Sequence, residues 1–354
     1  MAPDSTPNVP RLSVVGAGTG GPSKAKRIIT DGRGWIAVGS GAGTGFFVES
    51  VKSFATSDPD GRWWFVLGFV VGIALIAVGV GLERRRGSGA RVGVVVTAGD
   101  PRNAVKAVER DEAAETYSRE HCTFVLKAHM WFGEPPWTAA AVDALADETS
   151  AAVTTARRLT GEANRVDLVP TMPLPAAFRF GARLGHTHGS EIVVHAVRQR
   201  SQGLFFPATV LRNTATAASS APPPLVVEGL ETFDDGDPAV TALALDVQGH
   251  GARFTAPVRQ ACRQFGFGNL LLIRAPEEFL LENRETFTAC VEQICRAWAD
   301  AGLSDTARTG RYSAFLNGPV AISLAVGARL ANNQPSRWTT YTFDDASSTY
   351  EPLV

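Results

Sequence analysis

The residues of this chain that invite a chemical reading first are glycines. Leu12-Ser13-Val14-Val15-Gly16-Ala17-Gly18-Thr19-Gly20-Gly21 sets a short apolar run before G-x-G-x-x-G, the spacing that lets a backbone approach a dinucleotide pyrophosphate. That chemistry needs a following helix, a second strand and an acidic residue within about 30 residues. Pro22 and a basic patch come next instead, so the run reads as part of a flexible tail over residues 1–33. No G-x-x-x-x-G-K-[ST] phosphate loop and no G-x-S-x-G nucleophile elbow is present. His186 and His188 stand two apart, without the H-E-x-x-H or acidic neighbours that complete a zinc site. Cys122, Cys262, Cys290 and Cys295 form no C-x-x-C pair and read as reduced core residues facing a cytosol. The reading is of a non-enzyme, with no catalytic set, no metal and no cofactor.

A duplicated pattern carries more. Pro173-Leu174-Pro175-Ala176-Ala177-Phe178-Arg179-Phe180-Gly181-Ala182-Arg183-Leu184 matches Pro319-Val320-Ala321-Ile322-Ser323-Leu324-Ala325-Val326-Gly327-Ala328-Arg329-Leu330 at one constant offset. Upstream, Phe124-Val125-Leu126-Lys127-Ala128 pairs with Leu271-Leu272-Ile273-Arg274-Ala275, and Val94-Val95-Val96 with Leu243-Ala244-Leu245. Short β-branched runs alternate with alanine-rich, helix-length segments such as Thr138–Leu159, which predicts an α/β fold with a mostly parallel sheet in each copy. Two such copies pack about a pseudo-two-fold axis, and the groove between them suits a nearly symmetric ligand.

In parallel sheets of this kind ligands sit beyond the carboxyl ends of the strands. That rule nominates Thr97, Asp100, Lys127, Trp131 and Thr171 in the first copy, and Gln248, His250, Arg274, Asn317 and Gly318 in the second. Lys127 and Arg274 read as pseudo-symmetric cations for phosphate oxygens, each expected to contribute about 1.5–3 kcal/mol through a charge-assisted hydrogen bond. Pro173 and Pro319 open helices whose first amides are left for an anion, and Trp131 could stack a base. The plainer alternative for each is a solvated charge or a core tryptophan.

The 354 residues can hold two units of about 130 residues with real cores. Their 34 Lys+Arg against 35 Asp+Glu give no support to a nucleic-acid polymer as partner. Trp63–Leu82 contains no charged residue and is long enough, at about 1.5 Å per residue, to cross a bilayer. Trp63 and Trp64 would anchor one end, and Glu83-Arg84-Arg85-Arg86 would close the other on the cytoplasmic side. A single span would export Arg11, Lys24, Lys26, Arg27 and Arg33, against the positive-inside tendency. A second, weaker span over 34–51 makes a hairpin within 34–86 and relieves that conflict, although Glu49 and many glycines make it marginal alone. An interfacial or cytosolic segment beside one true span is the alternative. Gly68-x-x-x-Gly72, Gly39-x-x-x-Gly43 and Gly41-x-x-x-Gly45 permit close helix packing and self-association.

Asn317-Gly318-Pro319-x-x-x-Ser323-Leu324-Ala325-x-Gly327-x-x-Leu330, followed by Trp338-Thr339-Thr340-Tyr341 and Tyr350-Glu351-Pro352, resembles the carboxyl-terminal half of a SAVED domain. Residues 170–207, ending in Phe205-Phe206-Pro207, repeat the pattern, and the resemblance covers roughly residues 91–354. It implies two fused CARF-like, Rossmann-like units: a first half over 91–212, a linker over 213–239 and a second half over 240–354. It further implies a cyclic di- or trinucleotide ligand made by a CD-NTase enzyme of a CBASS anti-phage system, and membrane lipid as a second partner. Ligand-driven homo-oligomerisation and membrane disruption would be the output, from an inner-membrane, multi-pass protein with its SAVED domain in the cytoplasm. The rivals are a membrane-anchored enzyme acting on a nucleotide, or a scaffold for one. A reporter fused ahead of Arg11 is expected to read as cytoplasmic; a reporter that reads as exported would remove the hairpin and leave one span.

Overall fold

The structure is a computed structural model that describes residues 11–17, 91–99, 104–131, 138–159, 165–186, 191–198, 205–211, 224–276, 280–332 and 334–353. The proposed spans at 34–51 and 63–82 lie outside them. Among the described residues no helix is long and apolar enough to cross a membrane. The described residues belong to one compact unit.

Its first half runs β1 (Arg11–Ala17), β2 (Arg91–Gly99), α1 (Ala104–His121), β3 (Phe124–Trp131), α2 (Ala139–Leu159), β4 (Arg165–Thr171), α3 (Leu174–Leu184), β5 (Glu191–Val197) and β6 (Phe205–Val210). The second half runs β7 (Val226–Thr232), β8 (Asp237–Asp246), α4 (Ala252–Gln264), β9 (Phe267–Arg274), α5 (Arg284–Ala299), α6 (Asp305–Thr309), β10 (Arg311–Asn317), α7 (Val320–Leu330), β11 (Trp338–Asp344) and β12 (Thr349–Pro352). Each half makes a 6-stranded sheet, in the order β1-β3-β2-β4-β5-β6 and, matched strand for strand, β7-β9-β8-β10-β11-β12. The four inner strands of each are parallel and the two edges antiparallel. Sheets covered by helices on their faces bury both sides of a strand, which is why Val92, Val94, Val95 and Val96 of β2 are all fully buried.

Two strands lie in segments that the sequence reading took as tail and linker. β7 occupies the middle of the segment read as a linker, and β1 lies in the segment read as a flexible tail. β1 pairs antiparallel with β3, from Arg11 opposite His129 to Ala17 opposite Phe124, with a bulge before Gly16. β7 pairs with β9 in the same sense, with a bulge before Gly229. The first glycine of the apparent dinucleotide fingerprint therefore follows a bulge and pairs with Val125 in an edge strand. Pairing across the sheet, invisible to local pattern, made a strand of a run too short to announce itself.

The halves meet through α3 and α7. α7 is buried on every side from Ala321 to Ala328, and α3 buries Pro175 to Phe178 together with Phe180, Gly181, Ala182 and Leu184. The two helices exchange places, α3 lying against β10 and β11 of the second sheet and α7 against β4, β5 and β6 of the first. Their crossing is reciprocal. A Cβ at Gly181 would stand 2.0 Å from the Leu324 carbonyl oxygen, and one at Gly327 would stand 2.1 Å from that of Phe178. Phe178 and Leu324 are themselves counterparts in the duplicated sequence, so the contact obeys the pseudo-two-fold axis. Arg179 adds a bond to the Pro335 carbonyl at 2.9 Å, while Asp143 of α2 holds its fork at 2.7 and 2.5 Å.

Replacing glycine by alanine inside a helix ordinarily stabilises it by about 1 kcal/mol. Here Gly181→Ala and Gly327→Ala should each destabilise by roughly 1–3 kcal/mol, because the backbones must part. Denaturant unfolding would measure this, and a rise in stability would refute the close crossing.

Candidate ligand-binding cleft

The second sheet ends on a buried carboxylate. Asp246, the last residue of β8, is fully buried and accepts hydrogen bonds from the His250 amide at 3.0 Å, the Gly251 amide at 2.7 Å and the Asn317 side-chain amide at 2.7 Å. Those bonds fold the chain after β8 into a tight turn, in which Gly249 and Gly251 adopt φ of 69° and 57°, a region that other residues enter at a cost. The turn delivers the chain into α4, so His250 and Arg253 stand beside Asn317 at the end of β10.

An open cleft of about 360 Å³ forms there. Its polar groups are His250, Arg253, Asn317 and Asp345; its aromatic wall is Phe254, Tyr341, Phe343 and Tyr350; Leu174 and Pro175 of α3 supply the first half's side. Tyr341 stacks on Phe315 at 4.8 Å and Phe343 meets Tyr350 edge-on at 5.1 Å, which fixes that wall. Burial pushes the Tyr350 phenol up, so it stays protonated.

Two helices begin at the cleft: the amino terminus of α3 meets no side-chain cap, whereas the Gly251 amide that opens α4 is taken by the Asp246 carboxylate. Pro173 caps α3 and Gly251 caps α4 without a side-chain hydrogen bond. By contrast α5 and α6 are capped by Asn283 at 2.8 Å and Ser304 at 3.2 Å. In α4 the Arg253 and Phe254 amides turn back to the His250 and Gly251 carbonyls at 3.3 and 3.1 Å, so what these termini offer an anion is chiefly the positive end of the helix dipole. Arg253 sits in the first turn of α4, exposed, and its guanidinium has no hydrogen-bond or ion-pair partner among the described residues.

His250 and Asn317 are thus the nominated residues that line the cleft. Gly318 follows Asn317 against Val247, and Gln248 is half-buried in the turn. Thr97, Thr171 and Lys127 come together elsewhere, under α1. Thr97 donates to Asp111 at 2.5 Å and lies 2.8 Å from the Thr171 hydroxyl, while Lys127 reaches Asp111 at 2.5 Å and Glu115 at 3.2 Å. Burial alone would lower the Lys127 pKa, but those two carboxylates outweigh it and raise it. Arg274 pairs with Glu228 of the neighbouring edge strand. Asp100 and the Trp131 side chain lie outside the described residues.

Lys127 and Arg274 are not symmetric partners either. In the rows through Thr171 and its counterpart Asn317, β3 contributes His129 and β9 contributes Arg274; Lys127 lies two residues earlier, opposite Val95. A two-residue slip keeps side chains on the same face, so sequence matching could not detect it. Arg253 and the aromatic wall were missed as well. The G-x-G turn ahead of an arginine was their one local signal.

The first sheet holds a buried acid–histidine pair. His195 Nε2 lies 2.8 Å from Asp167, and Arg165 donates to the same carboxylate at 2.6 and 3.0 Å. Burial raises the Asp167 pKa, yet the bonds from His195 and Arg165 prevail and hold it below the usual carboxylate range. Cys122 Sγ is 4.0 Å away, its thiol pushed up to about 12 by burial and by Asp167. With Asp167 and His195 only 4% and 3% exposed, the group braces β4 and β5 and offers no approach for a substrate. Burial also pushes Cys262 and Cys290 up to about 12 and Cys295 to about 11, which leaves these thiols protonated near neutral pH.

No protein-family profile and no curated protein sequence matches the chain. Among solved structures it is similar to the Acinetobacter baumannii Cap4 SAVED/CARF-domain containing receptor with the cyclic trinucleotide 3'3'3'-cAAA, at 10% identity and a TM-score of 0.49, covering 83% of this chain and 59% of the receptor. The same receptor with 2'3'3'-cAAA gives 11% identity and a TM-score of 0.47. The Moraxella osloensis Cap4 SAVED/CARF-domain containing receptor gives 9% identity and a TM-score of 0.38, over 90% of this chain and 75% of that one. The chain thus spans 59% of the length of the Acinetobacter receptor.

Asp167→Ala should cost about 3 kcal/mol at neutral pH by stranding His195 and Arg165. Because the folded pKa lies below the unfolded value of about 3.9, the carboxylate's contribution is whole above that pH and is lost as pH falls through the folded value. Acid unfolding of both proteins is the check: the gap should narrow below about pH 3.9. A gap that stays constant into acid would exclude the ion pair as its source.

Proposed function

We propose that this chain is a membrane-bound receptor for an anionic cyclic oligonucleotide, a SAVED-type effector of a CBASS system. One observation carries the ligand reading: the amino termini of α3 and α4 and an Arg253 without a partner among the described residues converge on a cleft with an aromatic wall. The positive helix ends and Arg253 suit phosphate oxygens. Phe343 offers its ring to a base, and Asn317, His250 and Asp345 offer edge-on hydrogen bonds. The duplicated, SAVED-like sequence pattern agrees with such a ligand.

Lys127 and Arg274 already hold carboxylate partners and play a smaller part in this reading. Output runs through the apolar segment within residues 34–86 as a hairpin in the inner membrane. The ligand binds the assembled protomers more tightly than the separate ones, since a ligand indifferent to assembly would shift nothing. Assembly gathers the hairpins, disrupts the membrane and ends the infected cell.

Titration of cyclic di- and trinucleotides by calorimetry tests the site. Arg253→Ala should weaken the best ligand by about 1.5–3 kcal/mol, or roughly 10- to 150-fold, whereas Arg274→Ala should change affinity by less than about threefold. Unchanged affinity in a folded Arg253→Ala protein would move the phosphate site away from this cleft.

A further inference from the structure

The first connection of each half differs in one respect. In the second half, β7 reaches β8 through Phe233–Gly236, which passes over the amino end of β9: the Phe233 amide donates to Gly268 at 2.9 Å and the Asp237 amide to Gly266 at 2.8 Å. In the first half the corresponding link is residues 18–90, which lie outside the described residues and contain Trp63–Leu82. Both ends of that link are fixed. Ala17 pairs with Phe124 from one side of β3 and Val92 pairs with it from the other. The chain therefore leaves and re-enters the sheet about 10 Å apart, two strand spacings, at the amino end of β3. That is the opposite end of the strands from Thr97 and Thr171.

From the pairing of β1 and β2 on either side of β3 we infer that residues 18–90 are an insertion into the receptor, replacing a short turn, and that they cross the bilayer an even number of times. The parity rests on the membrane reading above; the insertion does not. Strands bonded to one neighbour share one aqueous side, so a chain that crosses after Ala17 must cross back before Arg91. Trp63–Leu82 then needs a returning partner, and 34–51 is the stretch of sufficient length with a single charge, Glu49. This argument uses no loop charges and so stands apart from the positive-inside argument. It also makes β1 part of the receptor. A protein trimmed to begin at Arg91 loses an edge strand and bares β3, a template for unwanted pairing.

The test uses the full chain in native membranes. Leu12→Cys with Ala128→Cys, and separately Arg11→Cys with His129→Cys, place cysteines on directly opposed residues of β1 and β3, within disulfide reach. A protease site inserted between Gly87 and Ser88 then cuts the link. On a non-reducing gel the two fragments should migrate as one band, which reduction splits. Two bands without reduction in both pairs, from a protein whose receptor part still resists proteolysis, would overturn the insertion, whatever the membrane result. Alkaline carbonate extraction of the uncut chain reads the other question: release into the supernatant would overturn the membrane reading while leaving a formed disulfide, and so the insertion, intact. With the chain retained in the membrane, a tag ahead of Arg11 found on the opposite side from a carboxyl-terminal tag would overturn the even parity.

Discussion

The contact on which the rest of the molecule depends is the crossing of α3 over α7. Two helices can approach this closely only where each offers its partner a residue without a side chain, and Gly181 and Gly327 each lie against a carbonyl of the other helix. Because each helix then lies against the sheet of the other half, neither half can close its own core alone. The apolar faces of β4, β5 and β6 are covered by a helix encoded far downstream, and those of β10 and β11 by one encoded far upstream. The duplication is thus an interlock.

The cleft follows from that interlock. α3 begins where the strand ends of the second sheet stop, so Leu174 and Pro175 close one side of a site whose polar groups come from the other half. Expectation of a symmetric groove ran into chemistry that had diverged under a conserved geometry. Where the second half has Asp246 and Asn317 organising a turn, the first has Thr171 bonded to Thr97, which in turn donates to Asp111. Polar groups satisfied internally are poorly placed to meet a ligand. Arg253 stands apart because no carboxylate among the described residues claims it, and a charge left open beside two helix termini is electrostatically suited to phosphate.

Coupling of ligand to output would have to pass through the same framework. The attachment points of residues 18–90 lie on either side of β3, at the opposite end of the strands from Thr97 and Thr171. A segment held at two points on one sheet is displaced when that sheet is displaced, whereas one held at a single point can swivel.

Much of this was legible in the sequence by itself. The duplication and the parallel α/β units write themselves in local pattern, because helix and strand periodicity act on neighbouring residues. His250 and Asn317, which line the cleft, were nominated for the same reason, as residues at strand ends beside turn glycines. What only the tertiary structure decided was partnership. Lys127 looked free until α1 brought Asp111 and Glu115 to it, and Arg274 looked like its twin until sheet register set them two residues apart. Leu12–Val15 looked like a tail and residues 226–232 like a linker until β3 and β9 gave each an edge to bond. Pairing between residues distant in the chain depends on which surfaces folding brings together, and no local spacing records that.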